Sequence, residues 1–264
     1  MSSIFSRTVE LQHRAWSVAL RSALLPLGSL IRRSDRHLTW KLWEVVSGAE
    51  RLGVYPEVGL GSILNPSVAV TLQSLPNQTY NVTELELLAV SALASQMQAR
   101  TAFEIGTADG RTTLNMANNA APGGTVFTLN LPLVNDAGHS QGVPVGFHFL
   151  DKTTAASIVQ LWGNSQTFDY SEYVGRCQLV FVDADHFEPG VTTDSRTALR
   201  LVDSQNGVVV WHDALRFDVQ SAVPRLARSE ELPVHLITGT NLAVLFFMGG
   251  RAVHPAEWKQ GQVS

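Results

Sequence analysis

Two short motifs in this sequence carry side chains suited to moving a proton. Asp183, Asp185 and His186 close LVFVDADH (179–186), and His212 and Asp213 lie in VVVWHDA (208–214). Each follows an apolar run of the kind that forms a strand covered on both faces, so each falls where a strand ends. An imidazole, with a pKa of about 6.5, can take a proton at neutral pH, and a carboxylate beside it can orient the ring. His186, His212 and Asp213 are therefore the candidate catalytic residues. Adjacent strand residues point to opposite faces, which argues against direct contact between His212 and Asp213.

A second kind of chemistry belongs to TAFEIGTADGRTTL (101–114). A short apolar strand runs into Glu104-Ile105-Gly106-Thr107-Ala108-Asp109-Gly110, and a helical pattern follows at once. That arrangement gathers backbone N–H groups and the positive end of a helix dipole, the setting for a nucleotide-like cofactor. Gly106 and Gly110 lack side chains that would keep a ligand off the backbone. Their G-x-x-x-G spacing is not the G-x-G-x-x-G of a dinucleotide site. That spacing, with no acid at Asn130, argues against a nicotinamide-dependent oxidoreductase.

Strands and helices alternate around these motifs. Strands are expected at Ala102–Ile105, Thr125–Leu129, Ser157–Trp162, Gln178–Val182 and Gly207–Trp211, with helices from about Glu84 and over Arg111–Asn119, Thr192–Leu201 and Val219–Arg228. Val234–Thr238 and Leu242–Phe247 flank Gly239-Thr240-Asn241, a hairpin signal. The pattern calls for a doubly wound, mainly parallel sheet with an antiparallel edge. The expected organisation is a helical extension over residues 1–80, an α/β domain over 81–254 and a tail from 255. Ligands of such sheets sit outside the carboxyl ends of the strands. That rule selects Glu104 to Gly110, Asn130, Asn164-Ser165, Asp183 to His186 and Trp211 to Asp213.

The turn at 104–110 with VFTLNLP (126–132), LWGNS (161–165), LVFVDADH and VVVWHDA resembles the class I S-adenosylmethionine-dependent methyltransferases, over about residues 78–250. The resemblance implies a seven-stranded Rossmann-like fold and methyl transfer to a small-molecule hydroxyl, on a sugar or secondary metabolite. It also implies cofactor contacts from Glu104, Gly106, Thr107, Asp109, Gly110, Asn130, Asn164, Ser165 and Asp183. Asn130 and Asn164 depart from the family, which has acids at both places to hold the ribose hydroxyls and the adenine amino group. An amide accepts fewer charge-assisted bonds, so each change is expected to weaken cofactor binding about ten-fold. The alternative is a degenerate relative kept as a binding or scaffold module. Metal-dependent members hold a divalent cation with an Asp and an Asp-Asn pair. Asp183 and Asp213 match, Ala214 replaces the Asn, and Asp185 or water would complete a Mg²⁺ site. Trp162 and Trp211 could stack on adenine or acceptor, and His139, Phe147 and His148 lie in a loop expected to cover the site.

The bulk composition suits a single globular enzyme. The chain has 264 residues, is 45% hydrophobic and 16% charged, and carries a net charge of −4 that offers nucleic acid no basic surface. Cys177 is alone, which fits a reducing cytoplasm. The apolar run Ala15–Ile31 is broken by Arg21, Pro26 and Gly28 and reads as neither a membrane span nor a secretory signal. The basic, apolar N-terminal segment is read in two ways: an arm over the domain or a second subunit of a homo-oligomer, or a helix on a membrane surface. Its charges are spread through the segment, which favours the arm.

Overall fold

The structure is a computed structural model describing residues 55–75, 81–132, 139–140 and 143–262. The expected N-terminal arm, apart from residues 55–75, lies outside the described residues. The elements are β1 (Glu57–Val58), α1 (Leu60–Ile63), α2 (Glu84–Met97), β2 (Thr101–Ile105), α3 (Arg111–Asn119), β3 (Thr125–Asn130), β4 (His139–Ser140) and β5 (Val143–Pro144). After a 3-10 turn at Phe147–Phe149 come β6 (Ser157–Trp162), β7 (Leu179–Val182), α4 (Gly190–Leu201), β8 (Asn206–Trp211) and α5 (Val219–Ser229). The chain continues through β9 (His235–Ile237), β10 (Ala243–Met248), β11 (Arg251–Val253) and α6 (Pro255–Gly261).

The main sheet runs β1-β9-β10-β8-β7-β2-β3-β6, with β11 added to β10. Strands β8, β7, β2, β3 and β6 run parallel to one another, while β10 is antiparallel to both β8 and β9. Seven of these strands were expected from the sequence. The sheet has nine among the described residues, because β1 pairs with β9 and β11 with β10. Both extra strands are too short, at two and three residues, to show a periodic pattern. No described helix is long and apolar enough to cross a membrane.

Two apolar layers sandwich the sheet, and β7 shows why. Its four residues are all buried, Leu179 and Phe181 in one layer, Val180 and Val182 in the other. Period-two alternation thus puts apolar groups on both faces. The chain leaves β2 first for β3 and then crosses to β7 on its other side, so the carboxyl ends of β2 and β7 border the crevice where such sheets bind ligands.

The expected boundaries move. Tyr55–Ser264 forms one compact unit, so residues 55–75 belong with the α/β domain. Along α3, Arg111, Asn115 and Asn119 recur every fourth residue and hold the preceding segment by its backbone. Asn115 and Asn119 each exchange two hydrogen bonds of 2.8–3.0 Å with the backbone of Gln73 and Thr71. Arg111 donates to the carbonyls of Ser74, Leu75 and Val82. The expected tail from 255 is mostly helix α6, whose Trp258 is fully buried and stacks on Phe246 with ring centroids 4.3 Å apart.

Candidate active site

The turn after β2 is built tightly against the protein itself. Gly106 has φ +106°, and a Cβ there would lie 2.0 Å from the carbonyl oxygen of Asp183. Gly110 has φ +80°, and a Cβ would meet the Phe149 ring at 2.6 Å. Both glycines are thus required by close approach of other protein atoms, where the sequence suggested clearance for a ligand. Asp109 Oδ1 accepts the first N–H of α3, from Arg111, at 3.0 Å. The 146–149 turn docks on the same place: Gly146 N donates to Ala108 O at 3.0 Å and His148 N to Asp109 O at 2.9 Å.

Beneath the turn, Glu104 is 1% exposed and accepts from Thr113 Oγ1 and, at 2.5 Å, from its cross-strand partner Thr128. Thr128 also meets Thr107 Oγ1 at 2.7 Å, and Gln160 Nε2 donates to Thr107 at 3.1 Å. Burial pushes Glu104 up to about 8, against the lowering effect of the two threonine hydroxyls.

The proton-handling residues converge beside that turn. His212 N continues the ladder to Val182 O at 3.0 Å, which sets the ends of β7 and β8 side by side. Asp183 Oδ1 lies 3.2 Å from His212 Nδ1 and 3.3 Å from His186 Nε2. His186 Nε2 lies 3.2 Å from Asp213 Oδ2, and Arg216 Nη1 lies 3.4 Å from Asp213 Oδ1. At the far side, His212 Nε2 stands 3.4 Å from Glu86 Oε2. Strand alternation does not separate His212 from Asp213, because β8 has ended and Asp213 adopts φ +50°; His212 Nδ1 lies 3.8 Å from Asp213 Oδ1. The side chains of His186 and Asp183 keep 28% and 22% exposure, whereas those of His212 and Glu86 keep 4% and 2%. The first pair can meet a ligand; the second supports from below.

The sequence model of a family described as a methyltransferase domain matches residues 103–214, which contain the turn and every one of these residues except Glu86 and Arg216. This stretch is similar to a methyltransferase domain. No curated protein matches the chain. Among solved structures, an O-methyltransferase from Bacillus cereus in complex with SAH shares 20% identity over 64% of this chain and 82% of its own, with a TM-score of 0.45. A methyltransferase from Geobacter sulfurreducens shares 15% over 64% and 80%, with a TM-score of 0.49. An SAH-bound methyltransferase from Podospora anserina shares 15% over 64% and 80%, with a TM-score of 0.48.

Within the matched stretch, the remaining expected residues are placed unequally. Asn130, at the end of β3, turns Oδ1 toward the N–H of Ala108 at 3.4 Å and pairs across the sheet with Trp162, which is 45% exposed. Asn164 Oδ1 accepts from Gln166 N at 2.9 Å, and the Ser165 carbonyl accepts from Tyr170 Oη at 3.1 Å. Asp109 is buried and bonded to Asn81 Nδ2 at 2.6 Å, with His148 Nε2 at 3.5 Å. Trp211 is core: it is 1% exposed and donates to Ser195 Oγ at 3.0 Å. Asp185 does not join the cluster; its carboxylate accepts from Phe187 N and faces Gln166 Nε2. The side chain of His139 lies outside the described residues.

The charges in this cluster reinforce one another. Burial opposes charge on His186, but its contacts with Asp183 and Asp213 outweigh that and raise it to about 10. Burial likewise opposes charge on His212, which Asp183 and Glu86 nevertheless hold well above its ordinary value. Asp183, despite burial, is held well below the carboxylate range by the two imidazoles. Glu86, also against burial, is brought to about 2 by His212 and by the N–H groups of Asn241 and Thr83. Glu86 is the residue that sequence reasoning missed. Thr83-x-x-Glu86 is a legible capping box, and the structure forms it, but its second contact reaches a strand end far along the chain.

Proposed function

We propose that the chain transfers a methyl group from S-adenosylmethionine to a hydroxyl of a small-molecule acceptor. The observation that carries this reading is the position of the Asp183–His186–Asp213 cluster: its first residue touches the Gly106 turn through its own carbonyl. A cofactor seated at the turn, with Asn130 and Trp162 beside it, directs its methyl toward the cluster. The acceptor hydroxyl sits over Asp183, His186 and Asp213, and the cluster receives its proton as the methyl arrives. His212 acts differently from the expected base, because its two ring nitrogens are turned to Asp183 and Glu86. It is a positioning residue. Glu104, Thr107 and Asp109 support the turn from within, and their side chains act on the cofactor through its shape. The reaction is in-line displacement, in which holding donor and acceptor in line can account for about 7–11 kcal/mol of the barrier.

The test is calorimetric titration with S-adenosylmethionine and S-adenosylhomocysteine. Micromolar binding of either is the expected result. No binding at millimolar ligand would overturn the reading and favour a scaffold whose two asparagines have ended cofactor use.

A further inference from the structure

The three partly exposed members of the cluster do more than form ion pairs. One nitrogen, His186 Nε2, faces two carboxylate oxygens at 3.3 and 3.2 Å. A ring nitrogen carries at most one proton and cannot aim it straight at both, since a good hydrogen bond needs an angle above about 150°. One donor atom from each of Asp183, His186 and Asp213 lies within 4.8 Å of the others, so the three side chains gather in one place. Two donors bound at right angles to one ion, at about 2.1 Å each, stand about 3.0 Å apart. The two separations from His186 Nε2, 3.3 and 3.2 Å, are close to that edge length.

The surroundings resemble those of a built ligand set. Asp183 is fixed by His212, which is itself tied to Glu86, and Asp213 is fixed by Arg216. Such outer partners orient ligands and set their basicity. Two carboxylates match the charge of a divalent cation, and the open side of Asp183 and His186 leaves room for a further oxygen.

We propose that Asp183, His186 and Asp213 bind a divalent transition-metal ion, with His186 Nε2 as the ligand that selects it over Mg²⁺. Mg²⁺ takes oxygen donors and keeps much of its water, whereas an imidazole nitrogen suits zinc, iron, cobalt or nickel. When bound, such an ion acidifies a hydroxyl that coordinates it. The inference deepens the proposed function and rests on this cluster being the acceptor end of the site. It also departs from the oxygen-only Mg²⁺ set expected from Asp183 and Asp213 with Asp185 or water.

The experiment uses the full chain, stripped with a chelator and titrated separately with Co²⁺, Zn²⁺ and Mg²⁺ by calorimetry, with the visible spectrum of the Co²⁺ form recorded. The expected result is one ion per chain, bound at least 100-fold more tightly for Co²⁺ and Zn²⁺ than for Mg²⁺, with cobalt bands that report a nitrogen ligand. His186→Asn should weaken Co²⁺ and Zn²⁺ by more than ten-fold while changing Mg²⁺ by less than three-fold. Asp213→Ala should remove all three. The imidazoles of His235 and His254 also meet, with Nε2 atoms 3.1 Å apart, and the His186→Asn comparison separates the two places. No metal binding, equal affinity for Mg²⁺ and Zn²⁺, or an unchanged His186→Asn variant overturns the proposal. S-adenosylhomocysteine binding on the same samples distinguishes the two readings. Cofactor without metal leaves methyl transfer standing and removes the metal; metal without cofactor does the reverse.

Discussion

The carboxylate of Glu86 stands 3.4 Å from Nε2 of His212, across 126 positions of sequence. The same carboxylate accepts from Thr83 N at 2.8 Å and from Asn241 N at 2.7 Å. One side chain therefore caps α2, fixes the β9–β10 turn and orients the imidazole behind Asp183.

Glu86→Gln tests that role. The amide keeps the shape and loses the charge, so stability at neutral pH should fall by about 1–3 kcal/mol. Turnover should drop about ten-fold with the acceptor KM little changed, as for loss of an outer orienting partner. In the wild type the Glu86 contribution is present above pH 4.5 and is lost as pH falls toward about 2, because the folded state holds its proton less tightly. Acid denaturation of the variant should be correspondingly shallower in that range, and urea titrations across pH would show it.

Glu104 behaves in the opposite sense. Unfolded, its carboxyl releases a proton near 4.5; folded, near 8. Between those values the folded state binds a proton that the unfolded state lacks, so stability falls as pH rises. Glu104→Gln, which is neutral throughout, should flatten the decline and be more stable than the wild type at pH 8. Thermal melts at pH 5 and pH 8 without cofactor give the comparison.

Gly106→Ala should destabilise the chain by about 2–6 kcal/mol, combining strain at positive φ with a clash against the Asp183 carbonyl. A larger residue here would compromise folding itself. Denaturant unfolding with a matched Gly123→Ala control, also at positive φ but with open space around it, isolates the clash.

Asn130→Asp keeps an acceptor near Ala108 N and adds the charge that a ribose diol favours. S-adenosylhomocysteine should bind about ten-fold more tightly. Weaker binding by calorimetry would mean that the ribose lies elsewhere.

The parallel strands and the motifs at their ends were legible because both are local patterns. LVFV reads as a doubly covered strand, and Asp183, His186, His212 and Asp213 each follow such a run. The joining contacts were not legible. Periodicity places Glu86 on a helix but says nothing of which strand end it will face. Arg111, Asn115 and Asn119 recur every fourth residue, yet nothing in that spacing names residues 71–75 as their partner. His186 was read as a base and Asp185, or water, as completing a metal site, although the two residues are adjacent. Only the turn after β7, which ties Asp185 to Phe187 N, shows which of the two reaches Asp213.

At Gly106 a hydrogen atom occupies the place where any other residue would carry carbon, and the Asp183 carbonyl fills the space beside it. The loop that shapes one half of the crevice and the strand end that carries the other half thus share a single van der Waals boundary with no slack. Their spacing is set by backbone atoms, which side-chain motion cannot alter. A ligand that displaced the loop by a few tenths of an ångström would be registered directly at Asp183, so the two halves work as one gauge of distance.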